Sequence, residues 1–225
     1  MDPLRAGTRW WVRIWFAVTA VLAVGALTVQ SIMSLSGHPY GPFTTPTGRL
    51  LNQVFYFTDE ANLLVAATAA VLAVRSTRLP RGFTFLWTAS TVGIVITAAV
   101  YHVVLAKLFH LTGVAVVTNQ LVHTVVPLLA VAGWLLFGPR GVASWRVGLL
   151  ALLFPIGYLL VTLLRGVVIG WYPYPFLDVS KLGYGRVLVD GLGVAALFVA
   201  VTAAVVGTDA VLHRRVGRSA PGRVP

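Results

Sequence analysis

The chain has 225 residues, 58 % hydrophobic and 10 % charged, with a mean hydropathy of +0.86. A soluble domain of this length cannot hide so much apolar surface in one core, so composition excludes a water-soluble globular protein and points to an all-α polytopic membrane protein. The lack of cysteine excludes disulfides, thiolate metal sites and a cysteine nucleophile, and the net charge of +11 falls in short segments between apolar runs, a pattern of topology determinants rather than of nucleic-acid binding.

Six transmembrane helices are predicted, at 12–34, 50–74, 83–106, 115–138, 144–168 and 185–212, in a single domain over 1–225. Each exceeds the roughly 20 residues that cross a hydrocarbon layer. The first follows Arg5, Arg9 and Arg13 in the manner of a signal peptide. Its run from Val12 to Leu35 is too long for a signal core and has no clear small-residue cleavage site, so it reads as a retained helix. Gly37, Pro39, Gly41, Pro42 and Pro46 mark the first loop, and Arg75 to Gly82, with three arginines and Pro80, the second. Gly138-Pro139-Arg140-Gly141 predicts a tight turn, and Trp171-Tyr172-Pro173-Tyr174-Pro175-Phe176 opens the longest loop between the last two spans.

Charge sets the expected orientation. Arg5, Arg9, Arg13, Arg75, Arg78, Arg81, Arg140, Arg146, Arg214, Arg215, Arg218 and Arg223 fall on one side, and Arg49, Lys107, Arg165, Lys181 and Arg186 on the other. The positive-inside rule then places both termini in the cytoplasm. The preference for arginine over lysine, with abundant Ala, Val and Gly, hints at a GC-rich bacterial genome and hence at a bacterial inner membrane.

Polar groups recur at one depth in these spans: Thr58, Asn62, Tyr101, His102, Asn119, His123, Arg165 and Asp190. Such groups are costly in a bilayer, so a shared depth suggests a common site. Thr58 and His123 each lie about eight residues into their spans, roughly 12 Å below the outer boundary. Phe55, Thr58 and Asn62 are expected to share one helix face, and Asn119, His123 and Pro127 another. Pro127 has no N–H, so a carbonyl near His123 loses its usual partner and can orient the imidazole or bind water.

A neutral histidine within reach can take the proton of a threonine hydroxyl, which makes Thr58 and His123 a feasible nucleophile and base. Asn62 or Asn119 can donate to an oxyanion. The structural readings stand beside these. Membrane threonines ordinarily bond their own helix backbone, Tyr101 fits an aromatic-belt anchor, and His102 fits a solvated interfacial residue. Asp59 and Glu60 point about 100° apart on a helix, so one can face the site while the other reaches the surface or pairs with Arg165 or Arg49. Asp190 is expected to pair with Arg165 or Arg186. Trp171 and Tyr172 serve either as a rigid interfacial anchor or as part of a lid over the site. G-x-S-x-G, H-E-x-x-H and phosphate-loop motifs are absent, which removes support from soluble hydrolase, zinc protease and nucleotide-driven pump readings.

Phe55-Tyr56-Phe57-Thr58 with Asn62, Asn119-x-x-x-His123-x-x-x-Pro127 and Trp171-Tyr172-Pro173-Tyr174-Pro175, taken in this order, resemble the bacterial six-span branch of the androgen-induced membrane protein family. That family includes the androgen-dependent regulator of tissue factor pathway inhibitor. The resemblance runs from the first span through the sixth. It implies a membrane hydrolase: the animal members cleave fatty acid esters of hydroxy fatty acids with a threonine and a histidine, which match Thr58 and His123 by motif position. The chain departs from bacterial relatives at Ala61, where they commonly carry a serine.

The leading expectation is therefore a threonine-type lipid esterase acting on a substrate from the bilayer, with no metal or organic cofactor. Asn62, Asn119, Tyr101, His102, Arg165, Asp190, Trp171 and Tyr172 are the candidate substrate-binding residues. The alternatives are a lipid-binding or transport protein using the same polar ring, and a haem electron carrier with His102 and His123 as axial ligands. No inverted repeat is evident to support transport.

Overall fold

The computed structural model of the chain describes residues 4–37, 41–74, 79, 82–108 and 110–218, with side chains from Trp10 to Arg215 within those ranges. Of the residues singled out above, Pro39, Arg75, Arg78, Pro80, Arg81 and Arg223 lie outside the described residues, as do the side chains of Arg5, Arg9 and Arg218.

All regular structure among the described residues is helical. The described residues form nine α-helices, in chain order α1 Leu4–Leu35, α2 Pro46–Gln53, α3 Phe57–Val74, α4 Phe83–Val100, α5 Val114–Gln120, α6 Val126–Phe137, α7 Trp145–Ala151, α8 Leu153–Ile169 and α9 Val179–Arg218. They make six segments long and apolar enough to cross a membrane: Trp10–Leu35, Phe57–Val74, Phe83–Leu108, Val114–Phe137, Trp145–Ile169 and Val179–Arg215. The protein is a multi-pass membrane protein of six spans. An even number of crossings brings both ends of the bundle to one face, called here the basic face. The connections within 41–56, 110–113 and 170–178 lie on the opposite face, called the site face.

Span two differs from the expected 50–74, because residues 46–53 fold as a separate short helix. Pro46 sits in its first turn and Thr45 caps it, accepting from the Gly48 N–H at 3.1 Å. The chain then breaks over Val54, Phe55 and Tyr56. Tertiary partners hold the break open: the Tyr158 hydroxyl donates to the Phe55 carbonyl at 2.9 Å, and the Phe55 ring lies under the Arg165 guanidinium at 4.0 Å. Thr58 is consequently the second residue of α3 rather than eight residues deep, and Phe55 is not on its helix face. Span six departs from helical geometry at Gly183, with φ +73° and ψ 161°, so its continuous part starts close to the expected residue 185.

Span three is the hub, packing on spans two, four, five and six. It is 56 % buried, against 17 % for span five, which is mostly lipid-facing. Its small residues Thr88, Ala89, Ser90, Thr91 and Gly93 permit that close packing, and Ser90 shares a hydrogen bond with Thr68 of span two at 3.2 Å. The Phe57 ring fixes the start of span two against spans five and six, with ring centroids 5.0 Å from Phe154, 5.2 Å from Tyr158 and 5.7 Å from Phe198.

On the basic face, arginines close helix C-termini. Arg13 donates to the Ala73 carbonyl at 2.7 Å, and Arg140 to the Trp134 carbonyl at 2.7 Å. The turn after span four, with Gly141 at φ +71°, hangs on the buried Asp209, whose carboxylate accepts from the backbone N–H groups of Gly141 at 3.2 Å and Ala143 at 2.9 Å. Asp209→Ala leaves both donors without that acceptor. It is expected to destabilise the protein by about 2–4 kcal/mol, seen as a lowered unfolding temperature in detergent. An unchanged temperature would show that the turn is held otherwise.

Candidate active site

Two features of the sequence prepare the first half of the site. The break at 54–56 starts α3 at Phe57, and the Tyr56 carbonyl accepts from the N–H groups of Asp59 and Glu60 at 3.0 and 3.2 Å. The Thr58 N–H is left for an outside partner, as donors in a first helical turn are. That partner is the hydroxyl of Tyr174, 3.3 Å away on the loop between spans five and six.

The second half comes from span four. Between α5 and α6 the helix widens into a π turn over Leu121–Val125, where the Val126 N–H bonds the Leu121 carbonyl. Such turns occur mostly as single insertions in α-helices, frequently at functional sites. Because of this shift, the carbonyl that Pro127 cannot serve is that of Val122, not His123. Asn62 takes it instead, donating from Nδ2 to Val122 O at 3.1 Å and to Thr58 O at 2.8 Å. Asn62 is fully buried; one amide proton stays on its own helix, on the Thr58 carbonyl, and the other ties span two to span four through the Val122 carbonyl. Its role is to hold the two halves in register.

With this register, Thr58 Oγ1 lies 3.3 Å from His123 Nε2. The other ring nitrogen, Nδ1, is 3.0 Å from the Asn119 carbonyl. A carbonyl can only accept, so in the neutral ring Nδ1 carries the proton and Nε2 presents its lone pair to the threonine hydroxyl. The imidazole is fixed on its face as well. The Tyr101 ring stacks on it with centroids 3.9 Å apart and planes at 19°, and the Tyr101 hydroxyl accepts from Asn119 Nδ2. Asn119 thus acts twice, through its carbonyl on His123 and through its amide on the stacking ring.

The remaining candidates divide. His102 sits on the same span as Tyr101, also in a π turn, but faces outward and bonds Thr124 at 3.1 Å; Thr124 in turn donates to Gln120. The Nε2 atoms of His102 and His123 are engaged with two different threonines. Among the described residues no three His, Cys, Asp or Glu side chains converge as a metal site.

Arg165 donates to Asn52 Oδ1 at 2.8 Å and stands over the rings of Phe55, Phe43 and Trp171, at 4.0, 5.4 and 5.7 Å from their centroids. It braces the loops of the site face. Arg49 is buried and bonds the Ser34 and Thr44 carbonyls, so both arginines are taken up by groups other than Asp59 and Glu60. Asp190 pairs with Arg186, both carboxylate oxygens lying 3.0 Å from Nε, on the outer part of span six. Trp171 packs edge-on against Phe43 and Tyr56. Tyr172 is buried against Gly166, where even a methyl group would collide with its ring.

Two cavities meet at Thr58. A chamber of about 350 Å³ lies toward the site face; Leu105, Leu111, Ala115 and the loop from Trp171 to Pro175 line it together with the polar Gln30, Gln53, Asp59, Asn119 and His123, for which it is called the polar chamber. An apolar cavity of about 210 Å³ lies between spans three, five and six. Thr58, Leu105 and Tyr174 belong to both walls. Tyr174 was legible only as one aromatic in a rich segment, without a role of its own. Its signal was the alternation in Tyr172-Pro173-Tyr174, which in extended chain sends two tyrosines to one side. Its burial pushes the phenol pKa up to about 12, so it stays a proton donor. No protein-family model, curated protein or solved structure matches the chain.

Proposed function

We propose that the protein is a membrane hydrolase of lipid esters that uses Thr58 as nucleophile and His123 as general base. The observation that carries this reading is the Thr58 Oγ1 to His123 Nε2 contact at 3.3 Å, with Nδ1 anchored on the Asn119 carbonyl. It has the logic of a nucleophile, a base and a third group that orients the base.

In the proposed reaction Thr58 Oγ attacks the ester carbonyl as its proton passes to His123 Nε2. Negative charge gathers on the carbonyl oxygen, beside the Tyr174 hydroxyl, which accepts from the Thr58 N–H and has its own proton to donate, at the start of an 18-residue helix. The tetrahedral intermediate collapses, and the departing alkoxide takes the proton from His123, leaving acyl-threonine and a free alcohol. Water then attacks the acyl group as His123 accepts its proton. The second collapse expels Thr58 Oγ, which regains that proton and releases the acid. The chemistry needs no external oxidant or reductant.

The resemblance to the androgen-induced membrane protein family supports the same pair of residues. The charge pattern supports an orientation with the site face away from the cytoplasm, since Arg13, Arg140, Arg146, Arg214 and Arg215 gather on the opposite face, and the arginine-, alanine- and valine-rich composition is the ground for proposing a bacterial cell membrane.

The test is fluorophosphonate labelling of the purified protein, followed by mass spectrometry of the modified peptide. Phosphonylation of Thr58 is the expected result. Folded protein that neither labels nor cleaves any ester in a lipid panel, while still binding those lipids, would instead favour a lipid-binding protein.

A further inference from the structure

We infer that the apolar cavity between spans three, five and six is an acyl-chain site, filled by the linear hydrocarbon arm of the ester, while the alcohol arm occupies the polar chamber. This rests on the hydrolase reading and assigns the two halves of its substrate.

The joint between the cavities is the first reason. Thr58 and Tyr174 line both, so an ester whose carbonyl meets Thr58 sends one arm into each. The walls are the second. Phe57, Ile96, Val100, Leu159, Val194 and Phe198 offer hydrocarbon to the inner arm, and the Tyr158 hydroxyl in that wall is turned to the Phe55 carbonyl. The chamber on the other side carries Gln53, Asp59, Asp178 and Lys181, which suit a hydrated, polar leaving group.

Access is the third. Spans five and six pack their backbones through α7, on the basic-face half, and part toward the site face. At the rim Ile156 and Val199 are half-exposed to lipid, at 51 % and 55 %. A chain already in the bilayer can slide in sideways. It gains little from hydrophobic transfer, since lipid and cavity are equally apolar, so selection acts through shape and reach.

The order of the steps decides which arm goes where. After the first collapse the alcohol leaves and water must take its place beside the acyl carbonyl. Only the polar chamber can both release a polar product and admit water. The acyl arm therefore stays in the apolar cavity until the second collapse. The substrate class that follows is an ester of a linear fatty acid with a polar alcohol.

Gly191 and Ala195 on span six make the room in this cavity, and a side chain added at Gly191 meets nothing within 4 Å of its Cβ. Gly191→Leu and Ala195→Phe fill the cavity from two positions. The probe is hexadecanoic acid carrying a mid-chain diazirine, photolysed with the full-length protein in lipid nanodiscs and mapped by mass spectrometry. Adducts are expected on Ile96, Val194 or Phe198, equally in wild type and in Thr58→Ala. They are lost in Gly191→Leu and Ala195→Phe, and kept in Leu164→Phe, which changes a lipid-facing residue 70 % exposed.

In parallel, the preference for dodecanoyl over butanoyl esters of methylumbelliferone is expected to fall by about tenfold or more in Gly191→Leu. Adducts confined to lipid-facing residues, or cavity adducts that persist in both filled variants, overturn the acyl site. Cavity adducts in a protein that hydrolyses neither ester keep the acyl site and remove the hydrolase reading.

Discussion

Thr58→Ala is expected to abolish fluorophosphonate labelling and to lower ester turnover by about 10³-fold or more. His123→Ala should cost about as much, because an unassisted threonine hydroxyl is a weak nucleophile. The double variant should be no worse than either single one, as expected for residues that act as one unit. Thr58→Ser keeps a hydroxyl at the same backbone position and is expected to retain labelling. The background for these variants is favourable. The Thr58 hydroxyl bridges to one histidine, whereas the register of spans two and four is held separately by the Asn62 amide on the Val122 carbonyl. Unchanged unfolding temperatures would confirm that chemistry alone has been removed. Labelling that persists in Thr58→Ala would place the nucleophile elsewhere and end the proposal.

Tyr174→Phe should reduce kcat by about 10²-fold with little change in KM, the effect of removing one donor to a developing oxyanion. The phenylalanine keeps the ring that stacks on Phe176 and meets Tyr56 edge-on, so the loop is expected to keep its place. A rise in KM without loss of kcat would make Tyr174 a binding-pocket wall and not a donor.

The same residue gives a pH signature. Burial disfavours its ionised form and moves its pKa from the ordinary 10.0 to about 12 in the folded protein. The unfolded chain ionises first. Tyr174 therefore contributes stability that is fully present below about pH 10 and is lost as pH rises toward 12. The unfolding temperature of the wild type should fall more steeply over that interval than that of Tyr174→Phe. Parallel curves would show that the phenol is not held in its neutral form.

The local pattern was legible in the amino-acid sequence. Apolar runs long enough to span a bilayer are a property of consecutive residues, so the expected span starting at 83 coincides with Phe83, and the others agree within a few residues except at span two and in the outer part of span six. The pairing of Thr58 with His123 was suggested by residue type and approximate depth, because a bilayer makes polar side chains conspicuous wherever they occur.

The tertiary structure decided the remainder. The run from Leu50 to Val74 is long enough for one span, yet span two begins at Phe57, where Tyr158 and Arg165, more than a hundred positions away, hold the Phe55 carbonyl and ring. The π turn at Leu121–Val125 moved the carbonyl orphaned by Pro127 from His123 to Val122, where a buried amide on another span satisfies it. Arg165 lies in an aromatic cage and bonds Asn52, while Asp190 takes Arg186 one turn away on its own helix. Periodicity and hydropathy record which face of a segment is apolar. Thr58 finds His123 across 65 positions and Tyr174 across 116, and such contacts are selected by the packing of whole helices, which no local pattern encodes.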